Sequence, residues 1–213
     1  GLFERISRLA PALDPGALAP ALEARACALR NGEVGADARL AVIDYSLPST
    51  RKRLWVLDVA HDRVLFNEHV AHGSGTGDNL ARRFSNEDGS HATSLGLFRT
   101  AETYQGGNGY SLRLDGLDAG FNDRARSRAI VMHGAWYVNP DLIRTQGRLG
   151  RSQGCPALRE QVAKVVIDTL KQRQLLFAYA DDAAFLQRGR SFACDGRSAA
   201  QILAAARAGV FSA

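Results

Sequence analysis

From Leu40 onward the apolar residues fall on a period of two, and glycine-rich turns break the pattern into short runs. Leu54, Val56 and Asp58 alternate with Trp55, Leu57 and Val59; His61-Asp62 then makes a turn, and Val64 to Val70 returns as the second arm of a hairpin. Leu95 to Tyr104 and Tyr110 to Leu114 flank Gly106-Gly107-Asn108-Gly109, a second hairpin whose turn is written in glycine. Several short strands joined this way restrict the chain to a mainly β domain.

Helical spacing occupies the two ends. Leu2, Ile6 and Leu9, then Leu18, Leu22, Ala26 and Leu29, lie on repeating faces; Asp14-Pro15 predicts a cap and first turn, and Asn31-Gly32 a stop. These predict two short helices packed on the core. Glu160 to Lys171 carries Val162, Val165, Val166 and Thr169 at helical spacing, Gln174 to Ala180 reads as a strand, and the alanine-rich tail from Ser198 to Val210 reads as a helix packed on the N-terminal pair. The expected organisation is an α+β chain: a helical addition over 1–38, a β domain over 39–182 and a helical extension over 183–213.

At 213 residues and 46% hydrophobic content the chain buries a full core. It contains no apolar run of the roughly 20 residues that span a bilayer, and its start lacks the pattern of a signal peptide. A net charge of +5 suits nucleic acid, a membrane surface or an anionic wall polymer. The basic residues are scattered, however, apart from Arg51-Lys52-Arg53 and Arg82-Arg83. With no zinc-ligand spacing, recognition helix or aromatic stacking motif, the reading is no nucleic acid and no metal.

Chemistry concentrates between Ile130 and Leu158. A short apolar run delivers His133, and Ser152-Gln153-Gly154-Cys155-Pro156 presents a cysteine from a sharp turn. A thiol becomes a strong nucleophile only as thiolate, and an imidazole in reach both takes its proton and stabilises the charge. Gly154 frees the backbone to aim N–H groups at a developing oxyanion. On the pair alone the bland reading is favoured, since a free cysteine is most often a small buried hydrophobe. The surrounding residues reverse that balance.

Val-Met-His-Gly-Ala-Trp-Tyr-Val at 131–138, followed by Gly-Arg-Ser-Gln-Gly-Cys-Pro-Ala at 150–157, resembles the catalytic motif of the YkuD-type L,D-transpeptidases, in their murein L,D-transpeptidase catalytic domain branch. Ile43 to Ser46, Lys52 to Asp58, Val70 to Gly73, Phe84 to Asn86, Ser94 to Phe98, Tyr110 to Leu117 and Gly120 to Asn122 resemble the same branch in the same order, over roughly residues 41 to 180. Gln153 and Ala157 stand where the broader family has histidine and arginine. The resemblance implies a curved mixed β-sheet or sandwich with N- and C-terminal helices, and acyl transfer on peptidoglycan stem peptides without cofactor. It implies Cys155 as nucleophile, His133 as base and then acid, the Gly134 carbonyl as orienter of the imidazole, and an oxyanion site at the Gly154 and Cys155 N–H groups beside the Ser152 hydroxyl. Arg151, Asn139, Tyr137 and His72 are the expected substrate contacts. The expected compartment is the periplasm or cell envelope, with the export signal absent from this chain.

Three alternatives stay open at this point: a cysteine hydrolase using water as acceptor, a non-catalytic wall-binding module, and a sortase, for which Arg173 stands just ahead of the last strand. The polar segment from Gly73 to His91 is long for an idle link, and Arg82 and Arg83 within it are candidates to face peptide carboxylates or solvent. If Cys155 is the nucleophile, Cys27 and Cys194 remain, either as a disulfide formed in an oxidising compartment or as two buried thiols.

Overall fold

The computed structural model describes residues 1–210. Its strands are β1 (Leu40–Asp44), β2 (Leu54–Asp58), β3 (Arg63–Glu68), β4 (Gly96–Gly106), β5 (Gly109–Gly116), β6 (Val131–Ala135), β7 (Ala157–Arg159) and β8 (Leu175–Tyr179). Its helices are α1 (Leu2–Leu9), α2 (Pro15–Arg30), α3 (Pro140–Gln146), α4 (Glu160–Leu170), α5 (Ala183–Arg188) and α6 (Ala199–Arg207). All eight strands form one curved, nearly closed sheet in the order β3-β2-β1-β8-β4-β5-β6-β7. It is mixed: β1 with β8 and β6 with β7 are parallel, and the other pairings are antiparallel. Of the expected sheet or sandwich, the sheet is what forms.

Both predicted hairpins are present. The first turns through Val59–His61 with Asp62 in the left-handed region, and the second closes on the Gly106 to Gly109 pair. β1, β2 and β8 are buried along their whole length, so apolar residues occupy both faces rather than one. One face is covered by α2, in which Ala17 to Arg25 are all buried. The spacing predicts a short helix packed on the core; α2 does pack there, but it runs to 16 residues and buries even Glu23 and Arg25. Asp14 accepts the Gly16 N–H, as expected of its cap position, and Ser198 forms a capping box with Gln201 at the start of α6.

The tail is held by two devices. Buried Asp118, in the link after β5, accepts N–H groups from Arg190 and Ser191 and from Leu97 at the start of β4. Cys27 on α2 and Cys194 are joined in a disulfide across a sequence separation of 167, which decides between the two readings of these cysteines. Buried Glu23 lies one turn before Cys27 and pairs with Arg30 and Arg197. Among the described residues no helix is long and apolar enough to cross a membrane.

One element absent from the sequence reading matters for the site. α4 starts at Glu160 as its spacing predicts, but the short strand β7 stands between it and Cys155. The N–H groups near the thiol therefore belong to a loop and a strand entrance, not to a helix terminus.

The long loop closed by the disulfide yields a test. Replacing Cys27 and Cys194 together by serine is expected to lower unfolding free energy by about 2–4 kcal/mol, read by urea titration. Unreduced, denatured wild-type protein should titrate a single free thiol.

Candidate active site

The parallel register sets His133 on β6 opposite Ala157 on β7. Adjacent strands lie about 4.8 Å apart, so a residue two positions ahead of Ala157 arrives beside β6 without any long-range coincidence. That residue is Cys155. Its Sγ receives the Val131 N–H at 3.4 Å and lies 3.6 Å from the Ala129 carbonyl. Ala129 holds φ at +54, a conformation uncommon outside glycine, in the turn that leads into β6.

Cys155 and His133 line the same cleft, a cavity of 580 Å³ to which Ser152, Tyr137 and Arg151 also contribute. The His133 Nδ1 donates to the Gly134 carbonyl at 2.8 Å, so Nδ1 carries the proton and Nε2 is left as the acceptor. Burial pushes the His133 pKa down against the rise from that hydrogen bond, and burial pushes the Cys155 thiol up. Both shifts favour a neutral thiol and a neutral imidazole at rest.

Close backbone contact builds the turn that carries Cys155. Gly154 has φ +119, and a Cβ there would lie 2.8 Å from the Ala92 carbonyl oxygen; a Cβ at Gly73 would lie 2.8 Å from the Gly154 Cα and 2.3 Å from the His91 oxygen. Only glycine at both positions lets the segments touch. The Ser152 hydroxyl donates to the Cys155 carbonyl at 2.6 Å and accepts the Gly154 N–H at 3.2 Å, so these two groups brace the turn. Among the described residues the Cys155 N–H donates to no protein group.

Two expected substrate contacts are placed elsewhere. Asn139 caps α3 by accepting the Asp141 N–H, outside the cleft lining. His72 is 1% exposed: its Nδ1 accepts from the Arg53 guanidinium at 2.9 Å, and its Nε2 donates to the Asp78 carbonyl at 2.8 Å. Its own carbonyl accepts the Ser152 N–H, so His72 links the core to the Cys155 loop. Arg82 and Arg83 are exposed and do not line the cleft, although Asp88 and His91 of the same segment do.

The cation that sequence reasoning missed is Arg128. It lines the cleft and donates to Ser85 O, Ser94 Oγ, Ser90 Oγ and Ala92 O, with no carboxylate in ion-pair range among the described residues. It therefore ties the 85–94 segment to the entrance of β6, and its charge favours the Cys155 thiolate. Nothing local marks it, because its partners lie 34 to 43 positions away.

Two measurements follow from these environments. Burial and the Arg53 charge push the His72 pKa down to about 4 from an ordinary 6.5. The unfolded chain then binds the extra proton first, so this contribution to stability is complete above pH 6.5 and is lost as pH falls towards 4. The loss is expected to be on the order of 3 kcal/mol at most, and His72→Asn should flatten that limb of the stability–pH curve. Iodoacetamide should modify Cys155 with an inflection above that of an exposed thiol, and Arg128→Met should move it further up; an unmoved inflection would leave Arg128 a purely structural role.

Residues 9–179 match the family model YkuD_2, described as the L,D-transpeptidase catalytic domain. No curated protein matches the chain. Among solved structures it is similar to an L,D-transpeptidase from Mycobacterium smegmatis, at 15% identity and TM-score 0.40, covering 67% of this chain and 59% of that one. An L,D-transpeptidase from Stackebrandtia nassauensis gives 12% identity and TM-score 0.42 over 78% and 67% of the two chains. A helical cell shape determining protein from Campylobacter jejuni gives 12% and 0.47 over 87% and 61%. The family match takes in α2, all eight strands and both His133 and Cys155. By that match the chain belongs to the L,D-transpeptidase catalytic domain family.

Proposed function

We propose that the protein is a peptidoglycan L,D-transpeptidase working through a Cys155 thioester. The observation that carries this reading is the placement of a buried thiol and a tautomerically fixed imidazole in one cleft, from neighbouring parallel strands. Family membership supports the reaction class.

The neutral resting pair makes proton transfer part of the attack. The His133 Nε2 takes the Cys155 proton as sulfur bonds to the donor stem's carbonyl carbon, and the oxyanion forms against the uncommitted Cys155 N–H. The Gly154 N–H and the Ser152 hydroxyl act mainly by holding that N–H in place. Collapse expels the terminal residue's amine, which takes the proton from His133 and leaves a thioester. The amine of a second stem attacks this carbonyl, gives its proton to His133, and releases the sulfur, which recovers the proton. Arg151 and Tyr137, on the cleft wall, are positioned to contact the donor stem.

The disulfide supports a periplasmic or cell-envelope setting, because a reducing cytosol disfavours such a bond. The sortase reading loses its arginine: Arg173 donates to the Gly32 carbonyl and does not line the cleft.

Muropeptides incubated with the protein and resolved by mass spectrometry should yield cross-linked dimers lacking one terminal residue. Trimmed monomers alone would make the enzyme a hydrolase, and products formed by Cys155→Ala would overturn the mechanism. His133→Gln is expected to slow acyl-enzyme formation by on the order of 10²- to 10⁴-fold.

A further inference from the structure

Trp136 follows β6 directly, three residues after His133, and is 73% exposed. The turn that carries it is pinned on either side: Val138 N–H donates to the Ala135 carbonyl at 3.2 Å, and Gly150 N–H donates to the Tyr137 carbonyl at 2.9 Å. The Tyr137 ring stands edge-on to the indole at 5.8 Å and 86°, and Gly150 closes against the Tyr137 side chain so tightly that a Cβ there would lie 2.3 Å from it. A large apolar plate is thus held rigidly in solvent, a placement that hydrophobic burial alone disfavours and that recognition accounts for.

The indole borders a groove of 280 Å³ whose other walls include Gln146, Arg148 and Arg151. Tyr137 and Arg151 also line the 580 Å³ cleft that holds Cys155, so whatever fills the groove continues into the active site. A flat apolar face bordered by amide and guanidinium donors matches a ligand with an apolar ring face and polar equatorial edges. Tyr137 and Leu142 extend the apolar floor beside the indole, and the polar groups stand at its edges.

We propose that Trp136 and this groove form a glycan subsite, on which an N-acetylhexosamine ring of the peptidoglycan strand stacks while its stem enters the cleft. The choice of sugar rests on the transpeptidase reading; the subsite does not require catalysis. Its task is to present the stem to Cys155 through the strand to which the stem is attached, converting an encounter between two chains into a guided one.

The test uses a Cys155→Ala background, so that binding is read without turnover, and tetra-N-acetylchitotetraose as probe. Trp55 is 2% exposed, so a change in solvent-exposed tryptophan emission reports Trp136. The probe should quench that emission, Trp136→Ala should weaken binding by about tenfold or more by calorimetry, and Trp136→Phe should restore most of it. In the Cys155-intact protein, Trp136→Ala should reduce kcat/KM more on glycan-linked stems than on free stem peptide. Equal chitotetraose binding by Trp136→Ala and its parent, or equal losses on both substrates, would overturn the subsite. Chitotetraose binding by a protein that forms no thioester would leave the subsite standing and remove the transpeptidase reading instead. A concentration-dependent self-association abolished by Trp136→Ala, with no chitotetraose binding, would assign the plate to a second copy of the chain and also overturn the proposal.

Discussion

The parallel pairing of β6 with β7 is the constraint on which the site depends. Parallel neighbours cannot be joined by a tight turn, so the chain must leave the sheet and return from the same end. The 136–156 crossover does this through α3, and it brings the chain back with Cys155 just ahead of the register that holds His133. The segment after β3 then bridges the far side of β7, through Ala71 to Ala157 and Gly73 to Ser152, which nearly closes the sheet. Ala157 is thus paired on both sides, and the thiol two residues earlier has little freedom.

Behind that arrangement stands Arg53, fully buried and, among the described residues, with no carboxylate in ion-pair range. Its charge is met by the carbonyls of Val70 and Leu47, by the His72 imidazole and by the face of Tyr45 at 5.0 Å. Burial pulls its pKa down to about 10, which still leaves it charged at neutral pH. A buried cation is costly unless every donor is satisfied, so these partners are held in a single geometry. Since His72 in turn holds the 77–78 backbone and receives the Ser152 N–H, the cation orders the loop around Cys155 from inside the core.

Electrostatically the site is a compromise. Burial of both groups disfavours a standing thiolate–imidazolium pair, while the Val131 N–H and Arg128 favour the thiolate. A thiol kept neutral until substrate arrives is protected from idle oxidation, because oxidation follows thiolate character and exposure.

The features that the sequence by itself determined are local ones. Alternation and glycine turns specify the hairpins, Asp14 and Ser198 announce their helix starts, and the His-Gly and Ser-Gln-Gly-Cys segments name the reactive groups, because each depends on neighbours a few residues away. Tertiary structure alone decided which strands pair in parallel, that α2 is buried along the whole of Ala17 to Arg25, that Asn139 is a cap and His72 a buried hub, and that Arg128 rather than Arg82 or Arg83 brings charge to the cleft. Those outcomes depend on contacts between segments tens of residues apart. In a single sequence, an arginine with four distant hydrogen bonds looks the same as one facing water.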